Sequence, residues 1–326
     1  MINLQVKPGF TCDWESFRQS FPLYSIALDG LVTDATARDL AGPFANFDHH
    51  AGVDRLVARS TCEQVHIEIN MGLFDIFRKD GIPYANIFIN DCDEDTCLAV
   101  WLLLHHEQVV NNASPPINRL VYCEDRLDAT GGAYPLGDRS IVRKMAWIFD
   151  PYNKARFSGM LKSMDGAGLR TIVEAVCHRI NDYVLDGGQE LALDGEYERL
   201  GGGSGWALVK ETGPAARRAL YAHGIKAFVS LLGRLNGNYV YSIGRWSPWT
   251  NFNLPQIFKA LNAAEGQELL RRNPGADPTD SRMGFWGPMV ANATIGGSPR
   301  ALGSFLSPEE IAEVVEANKD TKEIDQ

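Results

Sequence analysis

The stretch Asn46-Phe47-Asp48-His49-His50-Ala51-Gly52 ends an apolar run with a carboxylate and two imidazoles at consecutive positions. A second stretch, Asn90-Asp91-Cys92-Asp93-Glu94-Asp95-Thr96, follows the apolar run 85–89 and has aspartates at alternate positions. Each stretch opens onto a helix-like pattern. In a parallel α/β sheet both would lie beyond the carboxyl ends of strands, where ligands bind. Such a density of charge at strand ends predicts a bound cation.

Each stretch also has a plainer interpretation when it is taken alone. An Asp-His-His sequence is often a solvated loop. The alternating Asp91, Asp93 and Asp95 can form a polar turn with a helix N-cap, because aspartate is favoured in both places. The two stretches share a position between a strand-like run and a helix-like pattern, and this shared position favours a metal site.

The composition is that of a soluble globular protein. The 326 residues are 45% hydrophobic, and they contain neither an apolar run long enough to span a membrane nor an N-terminal signal-peptide pattern. We therefore expect a cytoplasmic protein with no membrane association. The six cysteines are dispersed and form no Cys-x-x-Cys pair, which argues against a disulfide framework and a structural zinc finger.

The formal net charge of −10 limits the partners. It has the wrong sign for gripping a long nucleic acid, because that affinity depends largely on neutralised phosphates. A small phosphorylated substrate remains compatible, since a few arginines and metal ions suffice to hold it. The sequence neither requires nor excludes a homodimer.

Short β-like runs alternate with helix-like runs in the first half of the chain, which predicts a parallel sheet with helices on both faces. Four β-like runs each precede an acidic residue. These are 24–28 before Asp29, 44–47 before Asp48, 85–89 before the aspartate cluster, and 119–123 before Glu124 and Asp125. We therefore expect four strand ends to deliver carboxylates to one edge of the sheet.

The predicted fold is α/β with two domains and an active site in the cleft between them. A parallel-sheet, metal-binding domain spans 1–155, a helical connector spans 156–190, and a smaller α/β domain spans 191–326.

Three local signals lie in the predicted second domain. The run Gly201-Gly202-Gly203-Ser204-Gly205 lacks the lysine of a P-loop and is interpreted as a domain linker. The runs that flank Asn236-Gly237 predict a hairpin. Ser307, followed three residues later by Glu310, predicts a capping box at the start of the last helix.

The tripeptide Asp48-His49-His50 resembles the motif after which the DHH phosphoesterase superfamily is named. Further along, Val240–Ser247 and Asn251–Ile257 are similar to a strand, an arginine-serine turn and a helix of that family's second domain. Thr294–Gly303 is similar to the glycine-rich loop that follows them. The resemblance implies an α/β domain whose four acidic motifs bind two manganese ions, and a smaller C-terminal domain that closes over the substrate.

The chain departs from the family pattern in three places. The alternating aspartates follow the Asp-His-His here, whereas they precede it in the family, so the motif order looks permuted. Ile89 stands where the family's aspartate motif has a histidine, if Asp93 and Asp95 are the matched pair. Ser298 stands where the glycine-rich loop has a histidine that touches the scissile phosphate.

By this resemblance the metal ligands are expected among Asp29, His49, Asp91, Asp93, Asp95, Asp125 and Asp128. Asp29 is the candidate for the lone aspartate that bridges two ions, although a turn aspartate before Gly30 is an equally good interpretation. Asp91 and Asn90 are the candidates to substitute for the missing histidine. Asp125 and Asp128 compete for the fourth motif: Asp128 precedes Thr130-Gly131-Gly132, like the family's Asp-Thr-Gly-Gly, while Asp125 lies nearer the predicted strand end.

The remaining roles also come from the resemblance. His50 would orient the substrate or protonate the leaving group, with Asp48 beside it in the catalytic motif. The expected substrate-binding residues are Arg245, Gly296, Gly297, Ser298 and Arg300. The alternatives are a solvated surface charge for the arginines and a plain turn for the glycines.

Together these features predict a metal-dependent phosphoesterase that hydrolyses a small phosphorylated substrate, such as a nucleotide or a short oligonucleotide, at a dinuclear site. Carboxylate and imidazole ligands suit Mn²⁺ better than a thiolate-binding metal, with Mg²⁺ and Co²⁺ as alternatives. A nucleotide-binding or regulatory protein without hydrolysis is a second hypothesis, favoured by Ile89 and Ser298. A phosphatase or pyrophosphatase on a non-nucleotide substrate is a third, because nothing in the sequence reads a base.

Overall fold

A computed structural model describes residues 1–132, 134–235, 237–279, 284–288, 294–299 and 302–320. The contacts divide the chain into two compact units. The first unit is Met1–Ala129 with Leu136–Ala192, and the second unit is Thr130–Pro135 with Leu193–Gln326. Each unit has a sheet that contains parallel strands, which confirms the predicted mixed α/β class.

The first unit alternates strands and helices at first and is helical thereafter. Its elements are β1 (Ile2–Val6), α1 (Trp14–Ser20), β2 (Ser25–Leu28), β3 (Ala37–Asp39), β4 (Phe44–Phe47), α2 (Thr61–Asn70), α3 (Leu73–Ile76), β5 (Arg78–Lys79), β6 (Ile82–Pro83), β7 (Ala85–Ile89), α4 (Glu94–Leu104), α5 (His106–Val109), α6 (Pro115–Ala129), α7 (Arg139–Ile148), α8 (Asp150–Phe157) and α9 (Gly166–Asp186), with a 3₁₀ turn at Met160–Ser163.

The main sheet of the first unit has the strand order β1-β7-β2-β4-β3. The first four strands are parallel, and β3 pairs antiparallel at one edge. Leu28 of β2 pairs with Phe47 of β4, and Ala27 pairs with Phe88 of β7. Three neighbouring strands therefore end at the same edge of the sheet.

Both faces of this sheet are covered. On one face Phe17 of α1 packs with Ala27, Phe44 and Phe88. α4 is buried along most of its length, and it packs against α2, α6 and α9. α9, which lies in the segment predicted as a connector, also packs against α7, α8 and β1 of the first unit.

The predicted strand at 119–123 is wrong, because these residues lie inside α6. The buried positions Ile117, Leu120, Val121 and Leu127 recur at helical spacing, and Pro115 begins the helix, where a missing N–H is tolerated. A short apolar run alone does not distinguish a strand from a buried helix. Asp125 and Asp128 therefore come from a helix and not from a strand end.

The second unit has one six-stranded sheet with helices on both faces. Its elements are β8 (Tyr197–Gly203), β9 (Trp206–Glu211), α10 (Ala216–Ala222), β10 (Ala227–Leu235), β11 (Asn238–Arg245), α11 (Leu254–Arg272), β12 (Gly287–Pro288), β13 (Ile295–Gly297) and α12 (Pro308–Asn318). The strand order is β12-β13-β11-β10-β9-β8, in which only β9 and β10 are parallel among the described pairs. Along β9, Trp206 and Leu208 pack toward α11 and α12, while Ala207 and Val209 pack toward α10.

The glycine-rich run at 201–205 is not a linker, because it forms the end of β8 and its turn into β9. Gly202 has a φ of 118°, and a Cβ there would lie 2.6 Å from the Trp206 carbonyl oxygen across the strand pair. The positive φ and the close approach of the paired strand explain why a glycine is needed at position 202. The linker interpretation is wrong because composition alone does not show cross-strand pairing.

Two other local signals in the second unit hold. β10 and β11 pair antiparallel up to Leu235 and Asn238, which confirms the predicted hairpin, although Asn236 itself lies outside the described residues. Ser307 and Glu310 form the predicted capping box at the start of α12. In the described part of the chain, no helix has both the length and the apolar character needed to cross a membrane.

Candidate metal centre

The ends of β2 and β4 bring an aspartate and two histidines together. Asp29 follows β2 with a φ of 51°, in the left-handed region that aspartate tolerates better than most residues. Its backbone N–H donates to the Phe47 carbonyl oxygen (3.0 Å) and so ties the end of β2 to the end of β4. His49 and His50 come directly after β4 and Asp48. The sheet register therefore sets the position of this part of the site.

Two threonine hydroxyls hold the Asp29 carboxylate. Thr61 Oγ1 donates to Asp29 Oδ1 and Thr96 Oγ1 donates to Asp29 Oδ2, each at 3.0 Å. Thr61 begins α2, and Thr96 lies in the first turn of α4. Asp29 is buried, so these hydroxyls fix its orientation in a nearly dry environment.

The start of α4 places two more aspartates at this edge. Asp93 is the N-cap of α4, and its Oδ1 accepts a hydrogen bond from the Thr96 N–H (2.9 Å). Asp95 is buried, and its two oxygens accept the N–H groups of Thr61 (2.7 Å) and Cys62 (2.8 Å). A carboxylate at a helix N-terminus is favourable, and Asp95 takes this position at the start of α2. Asp95 therefore connects α4 to α2 and also faces the site.

The last turn of α6 supplies Asp128. Its Oδ2 lies 2.9 Å from His49 Nε2. Asp125, three residues earlier, accepts a hydrogen bond from the Ser60 N–H (2.8 Å) and pairs with Arg126. Of the two candidates that the sequence leaves open, the structure places Asp128 beside His49 and Asp125 at the start of α2.

His49 Nε2 lies at the centre of the cluster. It is 2.9 Å from Asp128 Oδ2, 3.6 Å from Asp29 Oδ1 and 3.7 Å from Asp95 Oδ2. Two ligands of one divalent ion, each about 2.1 Å from it, are at most about 4.2 Å apart. All three distances lie within this limit. The carboxylates around the buried His49 could therefore hold a metal ion.

His50 extends the cluster toward solvent. Its Nδ1 lies 3.5 Å from Asp29 Oδ1 and 3.0 Å from Asp48 Oδ1, and its side chain is 38% exposed, whereas His49 is fully buried. Asp29, His49 and His50 form a group whose ligand atoms lie within 4.8 Å of one another. The site thus has a buried end at Asp95 and an exposed end at His50.

Crowded carboxylates disturb the protonation of this site. Burial, together with the charges of Asp93, Asp95 and Asp128, raises the pKa of Asp29 well above its usual value. Burial and the same kind of repulsion raise the pKa of Asp93 to about 7 and also raise the pKa of Asp95. Since like charges in a dry site oppose each other's ionisation, a divalent cation would relieve this repulsion.

Asp128 behaves differently from its neighbours. Burial acts to raise its pKa, but the hydrogen bond and charge of His49 and the charge of Arg55 outweigh it and lower the pKa of Asp128 to about 2. Burial acts to lower the pKa of His49, but the contact with Asp128 outweighs it and raises that pKa. Asp128 is therefore the carboxylate that already has cationic partners.

Three predicted residues take other positions. Asp48 is buried but turns back on its own loop, where Oδ2 accepts the N–H groups of His50 (2.9 Å) and Ala51 (3.0 Å). Asp91 is exposed, and its Oδ1 accepts the Cys92 N–H (2.7 Å). Asp93 is close enough to raise the pKa of Asp29. Like Asp91, however, it belongs to neither of the two ligand groups among the described residues.

Three residues of the site were missed from the sequence. Arg55 lies in the irregular segment before α2, and no pattern marks it. Its Nη2 donates to Asp128 Oδ2 (2.7 Å) and lies 3.3 Å from His49 Nε2. Thr61 and Thr96 carry a weak signal, since both are hydroxyl residues at the starts of helices that follow the charged stretches.

In the second unit, Arg245 lies at the end of β11 and is buried. Its Nη1 donates to the Phe252 carbonyl oxygen (2.9 Å), and its Nε has no hydrogen-bond partner among the described residues. Burial lowers the pKa of Arg245, and no carboxylate in the described part of the chain pairs with it. Arg245 is thus not the solvated surface charge that was its alternative interpretation.

The glycine-rich segment is a strand and not a loop. Gly296 and Gly297 belong to β13, which pairs with β11 and β12. Ser298 is buried, and its Oγ accepts the Tyr241 N–H (3.0 Å), so the hydroxyl serves the sheet. Arg300 lies outside the described residues.

Gly296→Ala is expected to destabilise the second unit. A Cβ at Gly296 would lie well under 3.0 Å from the Phe258 ring and the Gly287 carbonyl oxygen, so we expect a loss of about 1–3 kcal/mol in the free energy of unfolding. Gly287→Ala is the matched control, because a Cβ there meets no atom within 4 Å. Urea denaturation measures both. Wild-type stability of Gly296→Ala combined with a raised KM would instead indicate a glycine that a ligand approaches.

No family model, no curated protein and no solved structure matches this chain. The site is therefore interpreted from its own geometry and from the motifs in the sequence.

Proposed function

We propose that the protein is a metal-dependent phosphoesterase that hydrolyses a small phosphorylated substrate, a nucleotide or a short oligonucleotide, at the candidate metal centre. The observation that carries the proposal is the buried His49 Nε2 within 3.7 Å of carboxylate oxygens from Asp29, Asp95 and Asp128. Carboxylates crowded at a buried histidine are typical of sites that bind a cation. The resemblance of Asp48-His49-His50 to the DHH superfamily supports the same function.

Mn²⁺ is the metal that we propose, with Mg²⁺ and Co²⁺ as alternatives. The ligands are carboxylate oxygens and imidazole nitrogens, without a thiolate among the described groups, and this mixture suits Mn²⁺. Asp29 Oδ1 lies near both His49 Nε2 and His50 Nδ1, so Asp29 is the residue that two ions would share. When bound, a pair of divalent ions supplies an activated water and neutralises charge on the phosphoryl oxygens.

We assign proton transfer and substrate orientation to the Asp48 and His50 pair. His50 Nδ1 lies 3.0 Å from Asp48 Oδ1, and the carboxylate keeps the proton of a neutral imidazole on Nδ1. Nε2 of His50 is then the atom that can exchange a proton with the substrate. Because His50 is the exposed member of the cluster, it is accessible to a substrate from solvent.

Asp48→Asn is expected to lower kcat about 10- to 100-fold and to leave the metal content unchanged. The asparagine oxygen can still accept the backbone N–H groups of the turn, but its NH₂ group faces His50 Nδ1 and favours the wrong tautomer. The measurements are steady-state kinetics across pH and metal analysis of the same samples. An unaltered kcat, or a loss of metal, would contradict this role of Asp48.

For the second unit we propose a role in binding a phosphate group. A buried guanidinium without a carboxylate among the described residues is unfavourable unless an anion pairs with it, and Arg245 meets this description. A planar guanidinium also matches the oxygens of a phosphate. Gly296 and Gly297 lie on the neighbouring strand β13, and Ser298 directly follows that strand.

A nucleotide-binding protein without hydrolysis is the second candidate, and Ser298 favours it. The family histidine that touches the scissile phosphate is absent, and the serine that replaces it uses its Oγ to accept the Tyr241 N–H. The same fold would then bind a nucleotide and retain it.

Metal analysis of protein purified without chelator, combined with a generic phosphodiester assay, tests the two candidates. Near-stoichiometric manganese with turnover that chelator abolishes is expected for the phosphoesterase. Tight nucleotide binding without turnover would favour the binding protein. Absence of both metal and turnover, after Mn²⁺ is added back, would contradict the phosphoesterase.

A further inference from the structure

Arg55 reaches into the metal centre from the segment between His50 and α2. Its Nη2 donates to Asp128 Oδ2 (2.7 Å) and to the Asp128 carbonyl oxygen (3.2 Å), and it lies 3.3 Å from His49 Nε2. The side chain is 13% exposed. The guanidinium therefore contacts the two atoms, His49 Nε2 and Asp128 Oδ2, through which these residues would bind an ion.

His49 Nε2 cannot serve Arg55 and an ion at the same time. An imidazole nitrogen has a single lone pair. In this structure Nε2 faces Asp128 Oδ2 at 2.9 Å and Arg55 Nη2 at 3.3 Å. Whether the Nε2–H donates a hydrogen bond to Asp128 or the Nε2 lone pair accepts one from Arg55, the lone pair is not open to an ion. Metal binding at Nε2 therefore requires Arg55 to move away.

Two features favour such a movement. Arg55 Nε is buried and makes no hydrogen bond with any residue that the structure describes, so the guanidinium is incompletely satisfied where it lies. The backbone around it is irregular and exposes Val53, Leu56 and Val57, so little apolar packing is lost when the segment shifts.

We propose that Arg55 is a built-in competitor of the metal ion, an inference that rests on the proposed function. In the metal-free protein its positive charge offsets part of the carboxylate cluster and keeps His49 and Asp128 together. An incoming divalent ion must displace the guanidinium from both residues and is also repelled by its charge. Arg55 thus weakens metal binding, and its removal strengthens it.

Calorimetric titration of chelator-treated protein with Mn²⁺ tests this competition. Arg55→Ala and Arg55→Gln are expected to lower the Kd for Mn²⁺ on the order of tenfold to a hundredfold, since one charge-assisted contact is no longer broken. Arg55→Lys keeps the charge but loses the planar fork, so its Kd should lie between those of Arg55→Ala and the wild type. Arg59→Ala is the matched control, because Arg59 lies in the same segment, is 53% exposed and pairs with Glu63 outside the cluster.

The result that would overturn the competitor role is equal or weaker Mn²⁺ binding by both Arg55→Ala and Arg55→Gln, while His49→Ala loses binding. Arg55 would then only position the ligands, and the metal centre would stand. An Arg59→Ala effect as large as that of Arg55→Ala would also overturn it, since net charge alone would explain the change. If His49→Ala binds Mn²⁺ as the wild type does, the metal centre is wrong, and the proposed function falls with it.

Discussion

His49→Ala is expected to lose the tightly bound metal ion and to lower phosphodiester turnover on the order of a thousandfold, equivalent to about 4 kcal/mol of transition-state stabilisation. His49 Nε2 lies within 3.7 Å of a carboxylate oxygen from each of Asp29, Asp95 and Asp128. Without it the carboxylates still repel one another, and the ion loses its nitrogen ligand. The measurements are metal content after gel filtration and turnover with saturating Mn²⁺.

The fold should survive this substitution. His49 Nδ1 makes no hydrogen bond with the described residues, and Asp128, which loses its contact with His49 Nε2, keeps the hydrogen bond from Arg55. Asp95 is a poorer target, because it also accepts two N–H groups at the start of α2 and its loss would disturb that helix. His178→Ala, a change at a 78% exposed histidine, is the control. Wild-type metal content and turnover in His49→Ala would contradict the proposed centre.

The parts of this site that follow strands could be predicted from the sequence. Asp29, His49 and the start of α4 each come directly after a short apolar run, and in a parallel sheet such positions converge on one edge. The convergence follows from the alternation of strands and helices, which predicts a parallel sheet. It does not depend on knowing that β2 pairs with β4 and β7. Here local sequence and global topology agree.

The contribution of α6 could not be predicted in this way. The run at 119–123 was short and apolar, and only the recurrence of Ile117, Leu120 and Leu127 over a longer window indicates a helix. Once α6 is a helix, Asp125 and Asp128 lie three residues apart and differ in their surroundings. Their contacts with Ser60 and His49 depend on helix packing that no local pattern encodes.

The position of Arg55 in the site could not be predicted from the sequence for a related reason. It lies in an irregular segment, where neither helical nor strand periodicity constrains the direction of a side chain. Its partners, His49 and Asp128, are separated from it by very different distances along the chain. A long-range ion pair of this kind is visible only after the helices have been placed.

The metal-free protein is expected to lose stability as the pH rises from about 5 to 8. Asp93 has its pKa raised to about 7 by burial and by neighbouring carboxylates, whereas an unfolded aspartate ionises near 4. A group whose pKa is raised in the folded state stabilises the fold fully at a pH below its unfolded pKa. This stabilisation is lost as the pH rises through the folded-state pKa. At about 1.4 kcal/mol per pKa unit, the loss in the free energy of unfolding over this interval should be on the order of a few kcal/mol.

Other groups of the cluster act in the same direction or not at all. The pKa of Asp29 is also raised, as is that of His49, so both lose stabilisation as the pH rises. Asp128 has its pKa lowered to about 2, so its contribution is already complete at pH 5. Saturating Mn²⁺ should flatten the decline, because a bound cation favours the ionised carboxylates and adds about 2.7 kcal/mol at a hundredfold excess over Kd.

Asp93→Asn separates this charge effect from the structural role of the residue. Asparagine is as good an N-cap as aspartate, so α4 should keep its cap while one source of repulsion disappears. We expect the metal-free variant to be more stable than the wild type at pH 8, with a shallower decline from pH 5 and weaker Mn²⁺ binding. Asp13→Asn, a change at the exposed N-cap of α1, should show no such gain. Urea denaturation of chelator-treated samples measures the effect. If the Asp93→Asn protein is less stable than the wild type at pH 8, this carboxylate is not held in a repulsive cluster.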